Sequence, residues 1–401
     1  MKKKILLISD NKILGFGGGS LEERKYYDGL NNYVETHGYD LKVISPDNNL
    51  KNTLIDGVTK SRKWDILSRV CGHSTYMFFN WKKYRANVLA YNPDIIVIGR
   101  SRFGFIAKDV KHNLPQCKVI CNMENIEYDY VTGYFANKTS KIKKLYVALE
   151  KYCVKRDETN AIKYADALDY LTQRDYKRAH DLYTVENKRE MILPICIEKE
   201  TNLSKKANKK TIVFIGSLNY GSNVDALLKF IQEIWIPFFL MNNDLEFVIG
   251  GSNPNESLKQ LVTQIPNCVL YENFANLESI VPVQAMVIAP IQKGAGMKVK
   301  VAETLSMGLM IAASDEALVG YEKSSPKKWT MRRNSLPPCM KCAPMSAGRR
   351  PQLHASSCRL SSTSCSAALT SGQPHSAAPA RACCAATRPP VRHSTTQFSR
   401  S

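Results

Sequence analysis

Short apolar runs alternate with longer amphipathic stretches along the first half of the chain. The runs are four to six residues long, which is the usual length of a buried strand. They lie at residues 4–9, 41–45, 95–99, 118–121 and 168–171. Because strands that alternate with helices fold into parallel sheets, this half of the chain predicts a doubly wound α/β domain.

A second series of the same kind follows a polar linker at residues 198–210. Its apolar runs lie at residues 211–216, 246–250, 269–271, 285–289 and 310–313. The sequence therefore predicts two Rossmann-like parallel-sheet domains in tandem, over residues 1–196 and 205–322.

Residues 323–401 differ from the rest of the chain in composition. They contain no Ile, Tyr, Asp or Glu and a single Val, so this segment cannot bury enough apolar surface to fold and is predicted to be a disordered tail. Lysine outnumbers arginine 33 to 10 before the tail, whereas arginine outnumbers lysine 9 to 4 within it. A shifted reading frame explains this inversion, and a native disordered tail is the alternative. Peptide mapping of natively produced protein separates the two explanations.

The formal net charge of +20 is concentrated in this tail, which holds 13 Lys and Arg and no acidic residue. Residues 1–322 carry a net charge of only +7 and contain no recognisable nucleic-acid-binding module, so we expect no nucleic-acid partner. The cysteines before the tail are scattered singly, and the Cys339–Cys342 pair has no second pair at ligand spacing. No disulfide framework and no metal site are therefore predicted.

The chain starts with three lysines after Met1 and then enters an apolar run at residues 5–9. This run is too short for the core of a signal peptide, and no other stretch approaches the length of a membrane span. The expected location is the cytoplasm, where cysteines stay reduced and serve as small core residues.

The strongest chemical motif runs from Pro290 to Gly308 and follows a predicted strand. Gly294 and Gly296 allow close backbone approach to a ligand, and a helix start near Lys298 presents free N–H groups, a positive dipole end and a lysine charge. Such a site suits a diphosphate. Glu303 lies more than one turn into the helix, where it can accept hydrogen bonds from both hydroxyls of a ribose. The alternative is an ordinary strand–loop–helix with solvated lysines and a solvated glutamate.

This segment resembles the donor-site signature of glycosyltransferase family 4, whose members are retaining enzymes with the GT-B fold. Residues 212–227, which begin with a strand and the loop at Gly216 and Ser217, resemble the opening of that family's donor domain. The resemblance covers most of residues 1–322. It implies two domains facing a cleft, a nucleotide-diphosphate sugar as donor, and no metal or cofactor. The implied donor-binding residues are Gly216, Ser217, Gly294, Ala295, Gly296, Met297, Lys298 and Glu303, with Lys298 and Glu303 as the catalytic pair.

The chain departs from the family pattern at two places. The family's usual first glutamate, eight residues before the second, is replaced by Ala295, so only Glu303 carries over. The loop after Gly216 lacks the usual basic residues, which leaves neutralisation of the phosphates to Lys298 or Lys300. We expect Lys298 to take this role across from Gly216, because it is nearer the start of the helix.

A second glycine cluster, at residues 15–19, follows the first strand and precedes a capping-box pattern at residues 20–23. A dinucleotide fingerprint needs glycine at Ser20 and a tighter turn, which argues against NAD. The family resemblance implies that Gly17, Gly18 and Gly19 lie in the cleft, the alternative being a flexible surface loop. Glu124 follows another predicted strand and is a candidate for acceptor binding, and a polar loop with a helix cap is the alternative.

Basic stretches at residues 62–64, 81–85 and 141–144 mix positive charge with aromatic or apolar residues. They indicate either peripheral contact with an anionic membrane or a solvated helix face.

The family resemblance implies glycosyl transfer, with retention of configuration, to a glycan or lipid-linked acceptor in bacterial surface polysaccharide biosynthesis. The expected place is the cytoplasm, at the inner face of the cytoplasmic membrane. The donor domain is expected to lack the family's closing elements after residue 322. An inactive remnant that binds nucleotide sugar without turnover is therefore the alternative.

Overall fold

The computed structural model describes residues 2–15, 18–47, 50–55, 57–134, 141–197, 210–239, 244–274 and 277–321. Gly17, the linker at residues 198–209 and the predicted tail at residues 323–401 lie outside the described residues.

The first sheet has six strands in the order β2-β1-β3-β4-β5-β6, and each neighbouring pair is parallel. The apolar runs are continuous because helices cover both faces of the sheet. In β1, Leu6 and Ile8 belong to one core cluster, and Ile5 and Leu7 belong to the cluster on the other face. The strands are β1 Lys4–Ile8, β2 Asp40–Ile44, β3 Ile95–Ile98, β4 Lys118–Met123, β5 Ala167–Tyr170 and β6 Arg189–Ile192.

The second sheet has five parallel strands in the order β11-β10-β7-β8-β9. Ile212 and Phe214 of β7 pack into one cluster and Val213 and Ile215 into the cluster on the opposite face, so this sheet is also covered on both sides. The strands are β7 Lys210–Ile215, β8 Leu245–Gly251, β9 Cys268–Glu272, β10 Met286–Ala289 and β11 Met310–Ala313.

Helices connect the strands of both sheets. The longer ones are α1 Gly18–His37, α2 Arg62–Val70, α3 Met77–Tyr91, α4 Gly104–Asn113, α5 Glu127–Tyr134, α6 Lys141–Tyr164, α7 Gln173–Leu182, α8 Gly221–Phe230, α10 Glu256–Thr263 and α11 Val299–Ser306. The π-helical turn Ile231–Trp235 joins α8 to the short helix α9, Ile236–Phe239. None of these helices, within the described parts of the chain, is long and apolar enough to cross a membrane.

The fold class predicted from the sequence is confirmed, and all ten predicted strands are present within two residues of their expected bounds. Strand β6 was missed. It forms the edge of the first sheet, where Arg189, Met191 and Ile192 are exposed, so it carries no buried apolar run that a pattern could reveal.

The capping-box prediction at residues 20–23 is wrong. Helix α1 begins at Gly18, so Ser20 lies inside its first turn instead of preceding the helix. Glu23 does not reach back to the helix start, because its side chain is fully buried against Gly99, where a Cβ atom would overlap the carboxylate. Glu23, which the pattern assigned to the cap, therefore belongs to the interior of the first domain.

Candidate functional site

A cavity of about 860 Å³ lies between the two domains. The loop after β7, the loop after β10 and helix α11 line one side, and the start of α1 and the segment after β4 line the other. Because the carboxyl ends of parallel strands are where α/β sheets place ligand-binding loops, this cavity is the candidate functional site.

The loop between β10 and α11 folds tightly around Gly296. This glycine has a φ of +60°, and a Cβ atom would overlap the Asn125 side chain and lie 3.1 Å from the backbone oxygen of Glu124. Both the left-handed backbone and the close approach to the first domain therefore require glycine. Seven of the eight predicted donor-binding residues line the cavity, and Gly296 does not.

Helix α11 begins directly after this loop, with Lys298 as its N-cap residue. The Lys298 backbone is extended at this point, and the Lys298 side chain makes no capping hydrogen bond to the helix start. The unpaired N–H groups and the positive end of the helix dipole thus lie at the cavity wall, as the motif predicted from its glycines and lysines.

The Lys298 side chain turns back onto its own loop. Its Nζ donates to the carbonyl oxygens of Gly296 at 2.9 Å and Ala295 at 3.2 Å, and it forms an ion pair with Glu316 at 3.2 Å. Burial lowers the pKa of Lys298, while Glu316 opposes this shift. Lys298 therefore holds the loop in shape, and part of its charge is already neutralised.

Lys300 lies against the loop that follows β7. Its Nζ donates to the Asn223 side-chain oxygen at 2.8 Å and lies 4.7 Å from the centre of the Phe214 ring. A Cβ atom on Gly216 would lie 2.7 Å from this Nζ. The lysine against Gly216 is therefore Lys300, whereas the sequence predicted Lys298 there. Residues two positions apart on a helix point in different directions, so only one of the two lysines faces Gly216.

Desolvation lowers the pKa of Lys300 to about 7. Among the described residues, the Glu303 carboxylate, one helical turn further along α11, opposes this lowering of the Lys300 pKa. Glu303 lines the cavity. Burial raises the pKa of its carboxyl group, and the opposing effect of Lys300 is smaller. Within the described residues, no hydrogen-bond donor occupies its carboxylate, which leaves this acceptor available to a ligand.

Gly216 and Ser217 lie at the carboxyl end of β7, and both line the cavity. The Ser217 hydroxyl donates to the side-chain oxygen of Asn219 at 2.6 Å. The Asn223 amide nitrogen donates to the Ser217 carbonyl oxygen at 2.9 Å, so one asparagine side chain holds both this loop and the Lys300 ammonium. The sequence pattern did not indicate Asn223, and it favoured Lys298 over Lys300 as the phosphate-neutralising lysine. A hydrogen bond between separate elements leaves no pattern in consecutive residues.

Gly18, Gly19 and Glu124 line the opposite side of the cavity, and Gly17 lies outside the described residues. A Cβ atom on Gly18 would lie 3.2 Å from the Val299 side chain, which places the start of α1 against the start of α11. Their assigned part in acceptor binding stays a prediction.

A buried charged cluster lies behind Glu124. Arg100 forms ion pairs with Asp10 at 3.0 Å and Glu124 at 3.1 Å, and Glu23 is buried beside it. Burial raises the pKa of Glu124 to about 7, although Arg100 opposes this shift. Sequence analysis missed this cluster. A usable signal existed, since Asp10 and Arg100 each follow closely on an apolar run, where polar residues of α/β sheets often serve a site.

Comparison with known families finds one match: residues 209–323 match the model of glycosyl transferases group 1. No curated protein matches the chain. Among solved structures, a glycosyltransferase from Rickettsia africae is similar with a TM-score of 0.51 and 11% identity, over 78% of this chain and 79% of that chain.

Two further structures are similar with lower scores. The lipopolysaccharide outer core galactosyltransferase WaaB has a TM-score of 0.47 and 10% identity, over 78% of this chain and 80% of its own. Anabaena HepE in complex with UDP and glucose has a TM-score of 0.47 and 10% identity, over 78% and 81%. At such identities structural likeness establishes the fold alone, so the chain has the two-domain GT-B fold, and its residues 209–323 match the model of glycosyl transferases group 1.

Proposed function

We propose that this protein transfers a sugar from a nucleotide-diphosphate donor to a hydroxyl group of a glycan or lipid-linked acceptor. One observation carries the proposal: the open start of α11, the buried Lys300 ammonium and the unoccupied Glu303 carboxylate meet on one wall of a cavity shared by two domains. A ligand with adjacent phosphate and ribose groups matches this wall.

The donor is held in two parts. The diphosphate lies at the start of α11 between Gly216 and the β10–α11 loop, where helix dipole, backbone N–H groups and Lys300 offset its charge. Glu303, one turn further along the helix, accepts hydrogen bonds from the ribose hydroxyls. Lys298 acts through the loop, whose carbonyl groups it holds, and adds charge at the helix start.

In the reaction, the bond between the anomeric carbon and the diphosphate oxygen breaks as the acceptor hydroxyl attacks from the same face. The acceptor hydroxyl gives its proton to the departing diphosphate oxygen on the same face, and the nucleoside diphosphate leaves with the bonding electron pair. Stabilising this departing negative charge is the main catalytic task, and preorganised positive groups at α11 are suited to it. The acceptor enters beside Gly18, Gly19 and Glu124 on the opposite wall.

Our proposal extends to bacterial surface polysaccharide biosynthesis, at the inner face of the cytoplasmic membrane. The mildly basic residues 1–322 and the shared cavity support this setting, because lipid-linked acceptors are presented at an anionic surface.

The test is calorimetric titration of the full chain with UDP-, GDP-, ADP- and TDP-sugars. We expect one nucleotide to bind and Glu303→Gln to weaken its binding by roughly ten- to a hundredfold, since a charged acceptor for two hydroxyls is lost. Glu256→Gln, on the exposed start of α10, is the matched control and should bind as the parent does.

Transfer is then measured as release of nucleoside diphosphate with candidate glycan acceptors. Binding together with release supports the proposal. Binding without release under any acceptor would identify a nucleotide-sugar-binding protein without turnover. A folded chain that binds none of the four donor classes would contradict the proposal.

A further inference from the structure

Helices α2 and α6 expose an unusual number of apolar side chains. Of the fifteen large apolar side chains exposed in the described part of the chain, seven lie on these two helices. Val70 is 76% exposed, Leu145 is 75% exposed and Tyr152 is 62% exposed. The remaining four are Ile66, Leu67, Tyr146 and Leu149.

The exposed residues of α6 form a stripe. Leu145, Leu149 and Tyr152 are spaced by four and three residues, which places them on one face of a helix. Buried residues of the same helix, such as Val154 and Ala161, lie roughly half a turn away. This is therefore an apolar stripe on the solvent side of a helix, where a solvated helix carries polar residues.

The two helices form one surface, which we call the α2–α6 surface. The buried Arg69 guanidinium of α2 pairs with Glu150 of α6, and the Arg69 side chain lies 5.9 Å from the centre of the Tyr146 ring. Arg156 donates to the Cys71 carbonyl oxygen at 3.5 Å, at the end of α2. These contacts hold the two helices side by side, so both contribute exposed apolar side chains to the same region of the first domain.

The exposed charges on the described residues of α2 and α6 are mostly positive. Every carboxylate among the described side chains of α6 is buried, and Asp65 of α2 is paired with Arg69 at 3.1 Å. The exposed cations on the two helices, in contrast, are Arg62, Lys63, Lys144, Lys155, Lys163 and Arg156. The combination of exposed apolar groups with cations alone distinguishes this surface from an ordinary solvated one.

We propose that the α2–α6 surface docks the protein on an anionic lipid bilayer. The apolar stripe enters the boundary between headgroups and acyl chains, and the surrounding lysine and arginine side chains contact anionic headgroups. Tyr146 and Tyr152 suit this boundary, since an aromatic ring with a hydroxyl group is stable where one end is apolar and the other is wet. The proposal adds a defined surface to the proposed function, but it depends on neither donor binding nor turnover.

The test is co-sedimentation of the full chain with vesicles of phosphatidylcholine alone and with phosphatidylglycerol added. We expect binding to the mixed vesicles only. The combined variant Val70→Ser and Leu145→Ser, which removes apolar contact, should weaken binding by tenfold or more. Neutralising Lys144 and Lys155 with Lys→Gln should weaken it roughly thirtyfold. The controls Val283→Ser and Lys229→Gln, an exposed apolar and an exposed basic residue of the second domain, should bind as the parent does.

A second measurement separates this surface from the basic residues 323–401, which also attract anionic vesicles. Lipids that carry a quencher near the headgroup should quench the fluorescence of Tyr152→Trp beyond that of the parent, whereas Val283→Trp should show no added quenching. Equal quenching at both positions would overturn the proposal. Vesicle binding that is unchanged by the α2–α6 variants would also overturn the proposal. The same holds if the parent is a dimer that these variants convert to monomers while vesicle binding stays the same.

Discussion

The Lys300 ammonium nitrogen lies 2.8 Å from the side-chain oxygen of Asn223, and this contact joins α11 to the start of α8. The same asparagine donates to the Ser217 carbonyl oxygen. The two motifs that the sequence pointed to separately are thus connected by one side chain. The Lys300 side chain therefore adjoins both loops that the second domain contributes to the cavity.

Stability should depend on pH through Lys300. The folded protein holds the pKa of this amine at about 7, below its ordinary value, because burial disfavours the charged form. Between that value and the ordinary lysine pKa, the unfolded chain binds a proton that the folded chain has released. The free energy of unfolding should therefore rise with pH above about 7, by up to roughly 1.4 kcal/mol per pH unit.

Urea unfolding at several pH values checks this dependence. In Lys300→Met, which keeps the apolar stem, the rise from this group should disappear, so the difference between parent and variant should change with pH. A difference that stays constant from pH 6 to pH 9 would show that Lys300 does not titrate in this range.

Donor binding should take up a proton. A diphosphate beside Lys300 favours the charged amine and raises its pKa, so a protein that is partly neutral before binding gains a proton on binding. Affinity should fall as pH rises from 7 to 9. Calorimetry in buffers of different ionisation enthalpy measures the proton directly, and a heat of binding that is independent of buffer would contradict this prediction.

Gly296→Ala should destabilise the protein by roughly 1–3 kcal/mol, because alanine is strained in the left-handed backbone of this position and its Cβ would overlap Asn125. The loop would shift, and donor affinity should fall with it. Gly221→Ala is the matched control, since nothing lies within 4 Å of its Cβ position and its φ is not positive. Thermal unfolding of the two variants tests the difference, and equal melting temperatures would count against a strained loop.

Arg100→Met should cost about 3–5 kcal/mol of unfolding free energy, because Asp10 and Glu124 would lose their buried partner. The pKa of Glu124, already raised by burial, should rise further, so the loss should be smaller at low pH, where carboxyl groups are neutral. Arg85→Gln, which breaks an exposed pair with Asp109 at 2.6 Å, should cost less than about 1 kcal/mol. Denaturant unfolding at pH 5 and pH 8 measures both effects, and similar losses in the two variants would refute the buried role of Arg100.

The sequence by itself determined the buried strands, their parallel arrangement and the glycine-containing loop before α11. These features are local: a buried strand such as Lys4–Ile8 needs a continuous apolar run, and a left-handed position such as Gly296 needs glycine. Each of these features therefore produces a recognisable pattern in consecutive residues. The edge strand β6 left none, because an exposed strand has no need of a buried run.

Tertiary structure alone decided which lysine faces Gly216, which residues surround Arg100, and that α2 and α6 form one apolar surface. Lys298 and Lys300 have similar sequence surroundings, and they differ because the carbonyl groups of the loop occupy one and Asn223 holds the other. Arg100 forms ion pairs with Asp10, which follows β1, and with Glu124, which follows β4. The packing of the helices and strands decides which residues become such partners. These residues are far apart along the chain, so no periodic pattern in the sequence indicates that they meet.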